Sequence, residues 1–379
     1  MTVQRFYIYG YYGSKNAGDE AFRLAFKKLL PSQAELLFIR PSELAGNTDL
    51  SDRIHTDVST GTSKLIVGGG AIIGEPYFWA HLPANTPYHI ISADIGSQEN
   101  LITTYRASLN PLQRSWIRSE KDSEQLDQLT NNSKDILYLP DIVFCLSCNS
   151  KRQAAITGMN RQERNIELLQ AMQSHCENSQ PESQLRNKNM AIFLSDHYYD
   201  YRTIHSSCIL DGIERAAADT IHLRQLRQSL DEITAYYNLY FFSLSFWYNS
   251  IDFFVGYRMA KASSHAPLYN LVSRYIAPAT IIELMPYFDA AISTKFHGLI
   301  LPMTANVPVL NLGTSKKNKD LCQQMGILSL PPEQLNVNSF LAALKQVESL
   351  EYATSLAETR RLATESILTA FAEPGLWSH

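Results

Sequence analysis

The sequence lacks the features that would tie it to a membrane or to nucleic acid through bulk charge. Its 379 residues carry a formal net charge of −4, whereas nucleic-acid binders concentrate positive charge. The longest apolar run, Gly298–Leu312, is interrupted by proline and asparagine and is too short to span a bilayer. The first residues show no basic stretch followed by an apolar one, so we expect no secretory signal and a cytoplasmic location.

Cysteine is also scarce. The chain has five cysteines, an odd number that favours reduced thiols in a long sequence without a leader. Cys145 and Cys148 form a single CxxC pair, and no second pair completes a zinc site. Because no other group of residues has metal-ligand spacing, we expect no metal site and interpret both thiols as half-buried side chains.

The sequence is rich in alternating strand-like and helix-like segments. Apolar residues make up 45% of the chain and charged residues 18%, which is enough apolar material for two cores. The predicted strands of the first half are RFYIYGYYG, AELLFIR, KLIVGGG, YHIISADIG, SWIRS and DILYLPDIVF. Helical patterns such as DEAFRLAFKKLL lie between them, an order typical of parallel sheets built from βαβ units.

A second alternation begins at MAIFLS and ends at VPVLNL. We therefore predict an α/β fold with two Rossmann-like, doubly wound parallel-sheet domains that face a central cleft. The predicted parts are an N-terminal domain at 1–150, a helical connection at 151–187, a C-terminal domain at 188–335 and a helical tail at 336–379. Ligands of such domains bind at the carboxyl ends of the strands, so site residues should directly follow strands.

Two glycine-rich segments follow predicted strands of the first domain. Gly10–Glu20 opens the first helix, where bare backbone and a helix N-terminus suit an anion, although its spacing matches neither the dinucleotide fingerprint nor a Walker loop. Within it, Asp19 is either a base, a residue that orients a hydroxyl, or a stabiliser of the first helical turn. Gly68–Gly70 either exposes backbone to a ligand or permits a tight crossover.

Arg118 follows another predicted strand. An arginine at this place can bind a carboxylate or phosphate through two parallel hydrogen bonds. The competing interpretation is a surface ion pair with Glu120 or Asp122.

The segment STKFHG, residues 293–298, joins a predicted strand to an apolar helix. Lys295 and His297 therefore lie where the helix dipole and free N–H groups favour anions. Histidine next to an anionic substrate is suited to general acid catalysis. The alternative is a helix-start histidine satisfied by backbone contacts, but a cation, a histidine and a glycine converge here, which favours a functional site.

Together these motifs resemble the polysaccharide pyruvyltransferase family. The resemblance rests on GYYGSKNAGDEA, the triple glycine after a buried strand, IRSEKDSEQL, LPDIVF and STKFHGLILPMTANVPVL, in that order. It extends from residue 6 to about residue 320. It implies a GT-B-like arrangement of the two domains, with the acceptor on the N-terminal side and the donor on the C-terminal side. It also implies transfer of a pyruvyl group from phosphoenolpyruvate onto a sugar as a cyclic ketal.

The resemblance also implies residue roles. The family's Arg-x-His stretch falls on Lys295, Phe296 and His297, with lysine in place of the usual arginine, and its Gly-Asp aspartate falls on Asp19. His297 is then the general acid, Asp19 accepts a hydroxyl proton or positions the acceptor, and Arg118 and Lys295 bind the donor. The other positions assigned to substrate contact are Asn16, Gly69, Gly70, Phe296, Gly298 and Lys316, with Lys317 beside the last.

The same resemblance bears on ligands and partners. We expect no redox cofactor and no metal, a sugar or lipid-linked oligosaccharide as acceptor, and no nucleic acid. A lipid-linked acceptor would allow peripheral contact with the inner face of the cell membrane, and a homo-oligomer is compatible with the sequence.

Two other functions stay open at this point. One is a nucleotide-sugar-dependent glycosyltransferase on the same scaffold, with Glu283 at a ribose. The other is a non-catalytic glycan-binding module, since lysine at position 295 cannot reproduce the two-pronged contact of arginine.

Overall fold

The computed structural model describes residues 4–70, 72–73, 79–95, 109–130, 134–177, 179–195, 220–247, 250–263, 265–350 and 353–372. Its internal contacts divide the chain into two compact units. The first comprises Met1–Leu146 with Ala357–His379, and the second comprises Ser147–Leu356.

The first unit contains a parallel sheet in the order β2-β1-β3-β4-β5-β6. Its strands are β1 (Arg5–Tyr9), β2 (Glu35–Ile39), β3 (Ser63–Gly70), β4 (Tyr88–Ala93), β5 (Leu112–Ile117) and β6 (Asp135–Tyr138), and its helices include α1 (Ala17–Leu29), α2 (Pro41–Leu44), α3 (Thr48–Ser59) and α4 (Glu120–Leu129). The strand order reverses between β1 and β3, which makes a topological switch point there.

The six strands predicted for this half are confirmed. Strand β3 is buried along its whole length, as the apolar segment LIVGGG predicts for a central parallel strand. Helix α1 buries Phe22, Phe26 and Leu29 on one face. The last strand is shorter than predicted: it ends at Tyr138, and Ile142–Cys145 forms a 3₁₀ helix whose first turn is capped by Asp141 through Val143 N–H at 2.9 Å.

The second unit contains a parallel sheet in the order β11-β8-β7-β12-β13 and a short antiparallel pair, β9 with β10. The strands are β7 (Lys188–Phe193), β8 (Tyr237–Phe241), β9 (Phe246–Trp247), β10 (Ser250–Ile251), β11 (Tyr269–Leu271), β12 (Ala290–Ser293) and β13 (Val309–Asn311). The order of the parallel sheet reverses between β7 and β12, so the second switch point lies there.

The helices that start in the second unit cover most of its connections. They are α5 (Ser150–Gly158), α6 (Arg161–Met172), α7 (Thr220–Ile233), α8 (Phe253–Ala262), α9 (Pro278–Leu284), α10 (Phe296–Met303), α11 (Lys316–Met325), α12 (Val337–Glu348) and α13 (Ala353–Ala372). Among the described residues, no helix is both long and apolar enough to cross a membrane.

The unit boundaries differ from the predicted ones. The division falls after Leu146 rather than at 150, and the predicted connection at 151–187 lies within the second unit. This segment contains the helices α5 and α6, of which α6 buries Leu168 and Met172. The predicted tail at 336–379 is split, because α12 buries Phe340 in the second core whereas residues 357–379 belong to the first unit.

His89 should make the first unit sensitive to acid. Burial, reinforced by the charges of Lys64 and Arg114, lowers the pKa of His89 to about 4. Because histidine in the unfolded chain titrates near pH 6.5, the unfolded state takes up this proton first as the pH falls. Stability should therefore drop from about pH 6.5 towards pH 4, by at most about 1.4 kcal/mol per pH unit from this site. The substitution His89→Phe should reduce the pH dependence of the free energy of unfolding, measured by urea denaturation between pH 4 and about pH 6.5.

The matched control is Ile91→Val on the same strand. Ile91 is fully buried, so the substitution should cost about 1 kcal/mol but keep the histidine and the wild-type pH slope. Equal slopes for His89→Phe and the wild type would contradict this interpretation of His89.

Candidate functional site

Each switch point carries one of the motifs singled out from the sequence. In the first unit, β1 ends before Gly10 and β3 ends in Gly68–Gly70. In the second unit, β12 ends at Ser293, directly before Lys295 and the start of α10. These are the places where open α/β sheets bind ligands, so each unit offers a candidate site.

The glycine loop of the first unit is held by a close backbone approach. A Cβ atom on Gly10 would lie 2.6 Å from the carbonyl oxygen of Gly68. The Tyr12 hydroxyl donates a hydrogen bond to that same oxygen at 2.5 Å. Burial, with the charges of Asp19 and Glu20, holds the pKa of Tyr12 well above its ordinary value. Tyr12 therefore stays a hydroxyl donor and fixes the loop against β3.

The structure brings Asp19 and Gly70 together. A Cβ atom on Gly70 would lie 3.5 Å from Asp19 Oδ1, and Gly70 has φ +90°. Asn16 caps helix α1, since its side chain accepts a hydrogen bond from Gly18 N–H at 3.0 Å. Glu20, which the sequence analysis did not single out, accepts a hydrogen bond from Gly13 N–H and pairs with Arg23 at 2.9 Å. The half-buried Asp19 carboxylate thus lies at the end of β3.

Gly68 and Gly69 are explained by packing. Cβ atoms there would lie 2.6 Å from the rings of Phe26 and Phe22, respectively. The two glycines therefore let α1 pack directly on β3. Substrate contact by Gly69 stays a prediction.

Arg118 lies in a buried ionic cluster. Its guanidinium donates to Asp94 Oδ2 through Nε at 2.8 Å and through Nη2 at 2.5 Å, and to Asp141 Oδ2 through Nη1 at 2.8 Å. At most 3% of any of the three side chains is exposed. The guanidinium carbon also lies 5.7 Å from the ring centre of Phe22.

The charges of this cluster depend on one another. Burial alone would lower the pKa of Arg118, but the carboxylates of Asp94 and Asp141 hold it above its ordinary value. Burial raises the pKa of Asp141 in spite of its ion pair with Arg118. Arg118 thus neutralises interior carboxylates and ties together the segments that follow β4, β5 and β6. This contact set supports a structural role, and donor binding by Arg118 stays a prediction.

The sequence analysis did not single out Asp94 and Asp141. Both lie inside the predicted strands YHIISADIG and DILYLPDIVF, whereas β4 ends at Ala93 and β6 ends at Tyr138. The rule that polar residues after parallel strands gather at one edge would have found them.

In the second unit a buried polar network joins the ends of β12 and β13. The Asn318 amide donates to Thr294 O and to Asn311 Oδ1, each at 3.1 Å. Gly313 N–H donates to Asn311 Oδ1 at 2.8 Å. A Cβ atom on Gly313 would lie 2.5 Å from Thr294 O. The network holds the loop before α10 against the loop before α11, so both helices begin side by side.

Lys295 is anchored by an aspartate. Its Nζ lies 2.7 Å from Asp252 Oδ2, which also accepts hydrogen bonds from the N–H groups of Leu244 at 3.0 Å and Ser245 at 2.8 Å. The Asp252 side chain is fully buried and 15% of the Lys295 side chain is exposed. The single ammonium of lysine therefore has a defined partner. Asp252 gave no signal in the sequence.

Phe296 and His297 form the first turn of α10. Their rings meet edge to face at 5.3 Å, and His297 is half-buried. Gly298 packs the helix closely, since a Cβ atom there would lie 2.7 Å from Phe193 Cβ. Its predicted substrate contact therefore has a packing explanation beside it.

Two lysines begin α11. Lys316 and Lys317 lie in its first turn, which contains no acidic residue, and Lys317 Nζ lies 5.9 Å from the ring centre of Phe296. Cations at a helix N-terminus oppose the helix dipole, and an anion bound there would offset this effect. The starts of α10 and α11 thus combine first-turn N–H groups, lysines and a histidine, which suits a small anion.

Glu283 and the CxxC pair, Cys145 and Cys148, lie outside the candidate sites described above. Glu283 accepts a hydrogen bond from Asn149 N–H at 3.1 Å and from the Cys148 thiol. Burial raises the pKa of Cys145 to about 12, and burial with the charge of Glu283 raises that of Cys148 to about 11, so both thiols stay protonated. Among the described residues, no group of three or more histidine, cysteine, aspartate or glutamate side chains could hold a metal ion.

Comparison with known proteins gives a family and a fold. A family model described as polysaccharide pyruvyl transferase matches residues 16–316. No curated protein matches the chain.

Several solved structures share the fold at low sequence identity. A putative UDP-N-acetylglucosamine 2-epimerase from Listeria monocytogenes is 10% identical, with 99% of this chain and 98% of that chain covered and a TM-score of 0.54. The UDP-GlcNAc 2-epimerase from Neisseria meningitidis bound to UDP-GlcNAc is 11% identical, with 97% and 100% covered and a TM-score of 0.54. A UDP-forming α,α-trehalose-phosphate synthase from Burkholderia vietnamiensis is 7% identical, with 99% and 95% covered and a TM-score of 0.51. The predicted GT-B-like, two-domain α/β fold class is thereby confirmed.

Removing the Arg118 charge should destabilise the first unit strongly. In Arg118→Met, the buried carboxylates of Asp94 and Asp141 lose their shared cation, which should cost about 3–5 kcal/mol in the free energy of unfolding. Arg114→Met, on strand β5 just before Arg118, is the matched control. Arg114 pairs with Asp135 at the surface, where 25% and 43% of the two side chains are exposed, and its loss should cost less than about 1 kcal/mol. Equal losses in chemical denaturation would contradict the structural role of Arg118.

Proposed function

Because the chain belongs to the polysaccharide pyruvyl transferase family, we propose that it transfers the pyruvyl group of phosphoenolpyruvate onto two hydroxyls of a sugar. The product is a cyclic pyruvate ketal, and inorganic phosphate is released. The acceptor is a sugar or a lipid-linked oligosaccharide of a cell-surface glycan.

The observation that carries the proposal is the pair of helix starts in the second unit. Phosphoenolpyruvate places a phosphate and a carboxylate on a three-carbon frame, so its site must focus several positive groups. The N–H groups at the start of α10 and α11 and the side chain of Lys316 supply such groups, with Lys317 beside them. Lys295 adds positive charge at the same strand end, although Asp252 neutralises part of it.

His297 is the proposed general acid. It donates a proton to the methylene carbon of phosphoenolpyruvate, which becomes a methyl group and leaves an oxocarbenium-like centre at C2. The first sugar hydroxyl attacks C2 and gives its proton to Asp19. The second hydroxyl then displaces phosphate, its proton returns to His297, and the Asp19 proton leaves on the phosphate. Of the two hydroxyl protons, one thus ends on the methyl group and the other on the phosphate.

The remaining assignments support this reaction. Asn16, Gly69, Gly70, Phe296 and Gly298 are proposed substrate contacts, in part through their backbone. The lysines neutralise the donor, so we propose that the reaction needs neither a metal nor a redox cofactor. We also propose that a lipid-linked acceptor brings the protein to the inner face of the cell membrane.

Ligand binding separates this proposal from the two alternatives. Phosphoenolpyruvate should raise the melting temperature, whereas a panel of nucleotide sugars should not. Stabilisation by a nucleotide sugar alone would favour a glycosyltransferase. Stabilisation by glycans with no phosphate release from phosphoenolpyruvate would favour a binding module.

Replacing His297→Ala should lower kcat by about 10²-fold or more, because general acid catalysis contributes a factor of this order. The measurement is phosphate release from phosphoenolpyruvate with oligosaccharides that present 1,2- or 1,3-diols. His265→Ala is the control, since His265 lies outside the candidate site with 46% of its side chain exposed, and its kcat should match the wild type. A near-normal kcat for His297→Ala would remove the proposed role.

A further inference from the structure

The second unit has a cavity that none of the assignments above uses. Its volume is about 580 Å³, and it lies at the amino ends of β7 and β8, between residues 185–188 and 235–237 and helix α12. Strand β7 has six residues, which separates the two edges of the sheet by about 20 Å. The cavity is therefore distinct from the candidate site at the carboxyl ends of the strands.

The charges that line this cavity are mostly positive. Arg161, Arg186, Lys188 and Lys345 line it with Glu348 as the acidic residue, and Glu348 pairs with Lys188 at 2.6 Å. No carboxylate of the described residues pairs with Arg161, Arg186 or Lys345. Positively charged side chains repel one another across a shared cavity, and a bound anion would offset that repulsion.

Arg186 is held in place by the interior of the unit. Its backbone N–H donates to Asn238 Oδ1 at 2.6 Å, and its backbone carbonyl accepts from Asn238 at 3.0 Å and from Asn165. Asn189 links these two asparagines with hydrogen bonds of 2.8 Å to each. All three asparagines are at least 97% buried. A connected network of this kind specifies one backbone position.

The Arg186 side chain is oriented as well. Its Nε donates to Thr234 O at 2.9 Å, which leaves the two terminal nitrogens of the guanidinium for a ligand. A guanidinium fixed in this way loses little further freedom on binding and offers two parallel donors to a phosphate or carboxylate.

Apolar surface flanks the basic residues. Tyr236 has 65% of its surface exposed and Leu341 has 36%, both unusually high for large apolar side chains of this protein, and both line the cavity. The cavity volume falls in the range of small-molecule sites. The lining thus combines a fixed anion-binding group with a surface for a ring or a hydrocarbon chain.

We propose that this cavity binds a phosphorylated ligand whose phosphate contacts Arg186, Arg161 and Lys345 and whose apolar part covers Tyr236 and Leu341. The site is separate from the proposed donor site and does not depend on it. Both a soluble phosphate monoester and a lipid phosphate have this chemistry.

Phenyl phosphate is the soluble probe, titrated by calorimetry against inorganic phosphate and phenol. We expect phenyl phosphate to bind several-fold more tightly than inorganic phosphate, and phenol not to bind. Vesicles of phosphatidylcholine with and without phosphatidic acid test the lipid source by cosedimentation. Binding of phenyl phosphate alone identifies a soluble ligand, and binding to the phosphatidic acid vesicles alone identifies a lipid.

Arg186→Gln should weaken the binding of whichever probe the wild type binds by at least tenfold. The fold should be kept, because the asparagines form hydrogen bonds with the backbone of residue 186. Arg274→Gln removes an exposed arginine of the same unit and should leave binding unchanged. Lys316→Gln should weaken the binding of phosphoenolpyruvate but not the binding of phenyl phosphate. The proposal is overturned if neither probe binds the wild type better than Arg186→Gln, or if Lys316→Gln rather than Arg186→Gln removes binding.

Discussion

The candidate site of each unit depends on backbone segments that approach too closely to leave room for a side chain. At the carboxyl ends of the strands, Gly10 lies against Gly68 O and Gly313 lies against Thr294 O, with no space for a Cβ atom in either case. In each unit this approach fixes the loop that leads into the following helix. The N-terminus of that helix then lies at the carboxyl end of the strands, where an anion can bind. The glycines of the motifs are therefore first a packing requirement, and ligand access follows from the packing.

The charged residues of the motifs are shared between stability and chemistry. Arg118 neutralises two interior aspartates, and Lys295 neutralises Asp252. Neither cation is left with its whole charge for a substrate. Lys316 and Lys317 lie in the first turn of α11, which contains no acidic residue. Positive charge at a helix N-terminus opposes the helix dipole, and a bound anion would interact favourably with both the lysines and the helix start.

The sequence allowed prediction of the features that local patterns determine. The alternation of apolar strands and amphipathic helices predicted two parallel sheets. Glycine, lysine or histidine after a strand end predicted the motifs at both switch points. The partners of the charged residues could not be predicted, because they lie 24 and 23 residues from Arg118 and 43 residues from Lys295 along the chain. The assignment of residues 151–187 to the second unit was not predicted, because their polar sequence indicated a connection, whereas α6 in this segment buries Leu168 and Met172.

The position of a bound donor tests the role of the helix starts most directly. In a crystal structure with phosphoenolpyruvate, the phosphate or carboxylate should lie within hydrogen-bond distance of backbone N–H groups at residues 296–298 or 316–317, with Lys316 in contact. An anion bound only at the Gly10–Glu20 loop, or at residues outside both helix starts, would contradict this assignment.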